Sequence, residues 1–247
     1  MSDPRLPALP DDDFRRVLCV VAHPDDMEYG LSAAVAEWVS RGVEVAYLLL
    51  TAGEAGMQIP PEEVGPLRRN EQAAACREVG VTELTILDHP DGVLVYSLDL
   101  RRDIARRIRE FNPDAVLTSN FEVAAPWGLN QADHRAAGLA ALDAVRDADN
   151  TWVFPELAGA ERLPKWGTRW FLVGGMPTPT HGVAVSQDAV DKAVASLQCH
   201  EAYLAALPHH PAPADFIPGM LRQGGEAMGT EFGVALQAWD LRGRPAG

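Results

Sequence analysis

Cysteine is scarce in this chain, and no two cysteines have CxxC spacing: Cys19, Cys76 and Cys199 lie far apart in apolar or helical contexts. That pattern points to buried, reduced thiols rather than to ligands or nucleophiles. No apolar run approaches the roughly 20 residues of a membrane span, so nothing reads as transmembrane. Basic residues are few as well: 21 Lys and Arg against 35 Asp and Glu leave a net charge of −14. Phosphate backbones attract basic surfaces, so this balance argues against nucleic acid and gives no reason to expect anionic lipid. Neither GxGxxG nor GxxxxGK[ST] occurs, which removes the usual dinucleotide and triphosphate cradles. Internal repeats are missing, and low complexity is confined to the loop from Pro208 to Pro218. Met1 to Asp13 is proline-rich and acidic without an apolar h-region, so it is expected to be a mobile lead-in rather than a signal peptide, with the protein cytoplasmic.

What the chain does have is a soluble balance, 47% hydrophobic and 23% charged over 247 residues, enough for one large domain spanning 1–247. Val17–Val21 is short, β-branched and apolar, as suits a strand buried on both faces of a parallel sheet. Leu31, Val35, Trp38 and Val39 then recur at helical spacing. Val43–Leu50 predicts a second strand, Leu67–Val79 a helix stopped by Gly80 after a Pro/Glu-rich loop from Ile59 to Pro66, and Leu84–Leu87 a third strand. Leu98–Phe111 is amphipathic, with its arginines on a solvated face. Ala115–Ser119 predicts a fourth strand, Asn120–Asn130 a loop, and the next helix begins near Asp133. Alternating strands and helices over the first 150 residues define an α/β, Rossmann-like fold: a mostly parallel sheet with helices on both faces. The remainder is less regular: a strand at Trp170–Val173, a helix over Asp188–Leu207, and an irregular or helical extension over 208–247, including a mixed helical tail from Gly225 to Leu241.

Ala22-His23-Pro24-Asp25-Asp26-Met27 sits where the first strand ends, the edge at which open α/β sheets bind ligands. A histidine and a carboxylate three residues apart suit zinc, which takes nitrogen and oxygen donors at about 2 Å. Asp133-His134, after the fourth strand, would supply a third ligand if strands one and four are neighbours. The same tetrapeptide also suits a tight turn with capping aspartates.

These residues resemble the PIG-L/LmbE-like zinc-dependent deacetylases. Ala22-His23-Pro24-Asp25-Asp26 with Glu28 is similar to the family signature, and Thr51-Ala52-Gly53-Glu54-Ala55-Gly56 to its loop after the second strand. Arg68 and Glu71 match its R-x-x-E helix, Asp91-Gly92 its D-G turn, and Asp133-His134-Arg135 its second metal motif. Lys192, Leu197 and His200 fall in order on its C-terminal helix, so the resemblance covers most of residues 16 to 205. It implies His23, Asp26 and His134 as metal ligands and Asp25 as general base. The implied cofactor is Zn2+, with Fe2+ suited to the same set of two histidines and a carboxylate. The implied activity is hydrolysis of a linear C–N amide bond, removing an acyl group from an N-acylated amino sugar or related small metabolite.

One position departs from the family. Its H-x-D-H is Gln131-Ala132-Asp133-His134 here, so the histidine assigned to the oxyanion is a glutamine. The resemblance then leaves Gln131 as a neutral donor, or His181 or His200 in its place, and takes from Asp133 the partner it would support. Trp127 is read as a pocket wall, and Glu54, Arg68, His181 and His200 as further substrate contacts. Trp152, Trp166 and Trp170 are assigned to packing, and His209 and His210 to a solvent-exposed loop. The alternatives are an amidase on larger thiol-conjugates or acylated natural products, and a zinc-binding member with decayed catalysis. A small N-acyl substrate is the expected partner, and a homo-oligomer is compatible with everything above.

Overall fold

A computed structural model of the chain describes residues 5–242. The order is β1 (Arg16–Val21), α1 (Ser32–Ser40), β2 (Glu44–Leu49), α2 (Pro61–Glu78), β3 (Glu83–Ile86), α3 (Leu98–Phe111) and β4 (Ala115–Ser119). A short hairpin, β5 (Ala124–Ala125) and β6 (Gly128–Leu129), precedes α4 (Ala132–Ala148), α5 (Pro155–Gly159) and β7 (Trp170–Gly174). The chain closes with β8 (His181–Ala184), α6 (Gln187–Gln198), α7 (Glu201–Ala205), α8 (Pro213–Met228) and β9 (Gly233–Asp240). The main sheet runs β3-β2-β1-β4-β7-β9-β8, parallel from β3 through β7 and antiparallel at the β7–β9 and β9–β8 pairings.

β1 is buried from its second residue onward, because Val17, Cys19 and Val21 feed one core layer while Leu18 and Val20 feed the other. Strand order reverses between β1 and β4, so their C-terminal ends flank a crevice of the kind that receives ligands in α/β sheets. The expected parallel sheet and the adjacency of strands one and four are both observed. Leu98–Phe111 and Ala115–Ser119 fall on the predicted residues, and Asn112 takes the left-handed cap, φ 55°, that ends α3. No described helix is long and apolar enough to cross a membrane.

Several expectations fail for physical reasons. α2 starts at Pro61, six residues before the predicted Leu67, because proline fits the first helical position and Glu62 and Glu63 follow in the first turn. The helix predicted over Asp188–Leu207 breaks at His200 and restarts as α7, whose Ala202 N–H donates to the Glu71 carboxylate at 2.6 Å. That cap comes from α2, where no local reading would find it. Of the extension expected to be irregular or helical over 208–247, α8 is helical but β9 is a strand, while 243–247 lie outside the described residues. β9 reads as helical because Ala, Leu and Gln favour helices, but Val234 and Leu236 fill the core between β7 and β8, and packing overrides propensity.

Residues 1–4 of the expected lead-in lie outside the described residues, and the rest of it is anchored. Leu9 is buried, its N–H donates to Gly182 O, and Gly182 N–H donates to Pro7 O, covering the open edge of β8. Asp11 accepts from the Trp38 indole and pairs with Arg41. Trp152, assigned to packing, is 83% exposed, since buried Arg109 gathers the carbonyls of Asn150 and Val153 and turns this loop's backbone inward. Trp170 is buried and Trp166 half-buried, donating to Pro113 O. Cys19 and Cys76 are buried and unpaired, whereas Cys199, at the end of α6, is only half-buried.

α8 lies against β9 through glycine. A Cβ on Gly224 would run into the carbonyl oxygen of Gly233, whereas one on exposed Gly219 would meet nothing. Gly224→Ala is therefore expected to destabilise the fold by about 1–3 kcal/mol. Gly219→Ala should be neutral or stabilising by up to about 1 kcal/mol. Denaturant midpoints of the two variants against the parent check the difference.

Candidate metal centre

The turn after β1 places His23 and Asp26, and the start of α4 brings His134 to them. His23 Nδ1 lies 3.2 Å from His134 Nε2, His134 Nε2 lies 3.1 Å from Asp26 Oδ1, and Asp26 Oδ2 lies 3.7 Å from His23 Nδ1. These three residues form one of two clusters among the described residues whose donor atoms could share a metal ion. A tetrahedron with ligand bonds of about 2.1 Å has edges of about 3.4 Å, so these donor separations, two of them to different oxygens of Asp26, are of the right size.

Hydrogen bonding fixes which nitrogens are free. Asn130 Oδ1 accepts from Gln131 N–H and faces His134 Nδ1 at 2.8 Å, so Nδ1 carries the proton and Nε2 is left with its lone pair. His23 Nε2 faces two carboxylates, Asp91 Oδ1 at 2.9 Å and Asp133 Oδ2 at 3.5 Å, so it too is a donor, and Nδ1 is left free. Two lone-pair nitrogens and a carboxylate oxygen then converge on one point, which only a cation satisfies. Without a metal, protons take that place. Burial opposes charge on the His23 ring, but hydrogen bonds to Asp133, Asp26 and Asp91 outweigh it and push its pKa up to about 12. His134 is raised too, against burial, by Asp26, and the two rings together hold Asp26 well below the usual carboxylate range.

The second cluster, His23 with Asp91 and Asp133, shares His23 with the first through the ring's other nitrogen. Its carboxylates are already engaged: Asp91 accepts from Ala55 N–H, and Asp133 from Gly92 N–H and Leu94 N–H. Asp133, which the Gln131 departure was expected to leave without a partner, is thus fully partnered.

Asp25 sits between His23 and Asp26 in the turn with φ 82°, a left-handed conformation costing a non-glycine residue about 1–3 kcal/mol. Two side chains of α2 hold it there. Gln72 Oε1 accepts Asp25 N–H at 2.9 Å, and Arg68 Nη2 donates to Asp25 Oδ1 at 2.8 Å and to Pro24 O at 2.6 Å. Asp25 Oδ2 has no hydrogen bond among the described residues. Burial raises the Asp25 pKa, Arg68 opposes, and the balance is about 7.

The other expected residues are scattered. Arg68 is 2% exposed; its guanidinium also donates to Gly53 O and lies 3.8 Å under the Tyr203 ring, so it clamps the turn. Glu54 Oε1 accepts Asp91 N–H and supports that turn. Gln131 is exposed at the N-cap of α4 without a side-chain cap bond. Trp127, 59% exposed on the hairpin, stands beside Gly175 at the rim rather than in the core. His181 opens the edge strand β8, four strands from β1, and packs edge-on to Trp170, away from the metal cluster. His200 is fully buried 3.8 Å from Glu28, its pKa lowered to about 3 by burial, and it touches neither ligand nor base. His210, expected to be free in solvent, is half-buried and meets Tyr29 OH at 2.9 Å.

Asp91, Gln72, Asn130 and Tyr203 were not singled out as site residues from the sequence. Gln72 had a signal, lying one turn beyond Arg68 on the same face of α2. Asn130 had another, four residues before His134.

A metal-competent set of two histidines and an aspartate at the switch point of a parallel α/β sheet defines the class of site. The chain belongs to the PIG-L family: the family model described as GlcNAc-PI de-N-acetylase matches residues 18–145. It is 39% identical over 185 residues to the 1D-myo-inositol 2-acetamido-2-deoxy-alpha-D-glucopyranoside deacetylase of Streptomyces avermitilis, covering 64% of this chain and 60% of that one. The chain spans roughly half to three-fifths of the length of the first curated relatives it matches. N,N'-diacetylchitobiose deacetylase from Pyrococcus horikoshii shares the fold with a TM-score of 0.81 at 23% identity, over 94% of this chain and 86% of that one. So does GalB, the 4-carboxy-2-hydroxymuconate hydratase of Pseudomonas putida KT2440, with a TM-score of 0.76 at 20% identity, over 93% and 98%. One fold thus carries different named activities, and the site must decide.

With zinc(II) as probe, the metal-free protein is expected to bind one ion per chain, and His23→Ala or His134→Ala to abolish it. The rings must shed protons to bind, so apparent affinity should fall about tenfold per proton for each unit of pH lowered. Calorimetric titrations across the neutral range check this. Glu28 supplies a second pH effect: burial pushes its pKa up to about 8 from 4.5. The folded state then holds a proton that the unfolded chain has released, so this contribution is fully present below pH 4.5 and is lost as pH rises through 8. Glu28→Gln is expected to flatten the fall of the melting temperature between about pH 4.5 and 8.

Proposed function

We propose that the protein is a metal-dependent N-deacetylase that hydrolyses the amide of a small N-acylated amino sugar. The observation that carries this reading is Asp25: a buried carboxylate beside the ligand set, with one oxygen tied to Arg68 and the other unengaged. His23, Asp26 and His134 hold the ion, zinc being the proposed metal for two histidines and a carboxylate. When bound, it acidifies water and polarises an amide carbonyl. Asp25 Oδ2 takes the proton of the attacking water, which adds to the carbonyl carbon. The protonated carboxyl then returns the proton to the amide nitrogen as the C–N bond breaks, leaving a carboxylate and a free amine. Arg68 keeps the base aimed through both transfers, and Gln131, at the rim, is the proposed neutral donor to the carbonyl oxygen. Trp127 offers an exposed aromatic face to a sugar ring. Acylated amino sugars as substrates draw support from the named activities of the relatives. Three unpaired cysteines suit a reducing, cytoplasmic setting.

A second reading, a metal-binding member with decayed catalysis, is favoured by the amide at Gln131, which cannot act as a charged donor. One experiment separates the two. Acylated amines are offered with and without chelator, and free amine and carboxylate are measured. Chelator-sensitive release is expected, and Asp25→Asn should lower kcat by about 10²–10⁴-fold with metal content unchanged. Asp25→Asn at the parent rate would remove the base assignment, and stoichiometric zinc with no hydrolysis would favour the decayed member.

A further inference from the structure

His23 is backed on its outer nitrogen by two carboxylates at unequal distances, and their other bonds separate their roles. Asp91 Oδ1 stands 2.9 Å from Nε2, within hydrogen-bond range, and Asp133 Oδ2 stands at 3.5 Å. The same Asp133 oxygen accepts Gly92 N–H at 2.7 Å, and its partner oxygen accepts Leu94 N–H at 3.1 Å. Both Asp133 oxygens therefore already accept a backbone N–H. Asp91 divides differently: Oδ2 accepts Ala55 N–H at 2.8 Å, while among the described residues Oδ1 has only a distant Thr51 Oγ1, at 3.4 Å, besides the ring. Asp91 is itself set by its neighbours, since Glu54 accepts its N–H and Asp133 holds the adjoining Gly92.

We propose that Asp91, not the motif residue Asp133, is the positioning residue that makes His23 a metal donor, and that Asp133 serves it by anchoring the Asp91-Gly92 turn. The inference rests on the reading of His23, Asp26 and His134 as ligands. A carboxylate on Nε2–H fixes the tautomer, aims Nδ1 at the ion and strengthens it as a donor. Asp133 adds charge near the ring, but each of its oxygens already accepts a backbone N–H and the ring stands farther from it than from Asp91. The D-G turn thereby acquires a role toward the metal, and it ties the loop at Ala55 to the same ring.

The test is zinc affinity by competition with a chromophoric chelator, alongside 15N NMR of the imidazoles in the zinc-loaded protein. Asp91→Asn is expected to bind zinc about 10–100-fold more weakly, as loss of an outer-shell partner does. The His23 Nε2–H resonance should move further in Asp91→Asn, which loses the direct partner, than in Asp133→Asn, which loosens only the turn behind it. Zinc binding by Asp91→Asn within about threefold of the parent overturns the inference. So does a resonance that moves further in Asp133→Asn than in Asp91→Asn. If Asp91→Asn fails to fold, the parent decides: a His23 proton on Nε2 supports the inference, and one on Nδ1 overturns it. A parent that binds no zinc overturns the metal-site reading together with this one, whereas a parent that binds zinc beside an unaffected Asp91→Asn overturns this one alone.

Discussion

One buried guanidinium holds the site in shape. Arg68 donates to Gly53 O after β2 and to Pro24 O and Asp25 Oδ1 after β1, while Tyr203 of α7 covers its face. A planar fork of fixed donors can bridge two strand ends at once, as a lysine could not. It also offsets the cost of a left-handed aspartate. The R-x-x-E spacing gains a structural meaning, because Glu71, one turn on, caps α7 and so fixes the helix that supplies Tyr203.

Around this clamp the polar groups are layered. Two histidines and a carboxylate face one another, and Asn130, Asp91 and Asp133 stand behind them. Outside these come backbone amides of the loops after β2 and β3. Each layer fixes which ring nitrogen of the one inside it faces inward, so an arriving ion has only protons to displace there. On the far side of Asp25, Gln72 donates to Glu28, whose neighbour His200 is buried and neutral. Asp25 is thus backed by neutral polar groups, with Arg68 the cation beside it.

Much of this was legible in the sequence. Val17–Val21, Leu98–Phe111 and Ala115–Ser119 carry their own periodicity and stop signals, and strand ends are where chemistry collects in such sheets. His23, Asp25, Asp26 and His134 were therefore readable as types at an edge. His181 and His200 were misread because a histidine looks alike whether it lines a site, packs on a tryptophan or is buried beside a glutamate. Tertiary neighbours alone tell these apart.

The sequence by itself determined the parallel α/β alternation, the switch-point turn and the donor types, since these depend on local periodicity and on residues close together in the chain. The tertiary structure decided that β9 is a strand, that residues 5–13 cover an edge, that Arg68 faces inward, and that Asp91 backs His23. Each of these contacts joins segments far apart in sequence, and its energy exists only once the sheet has brought them together.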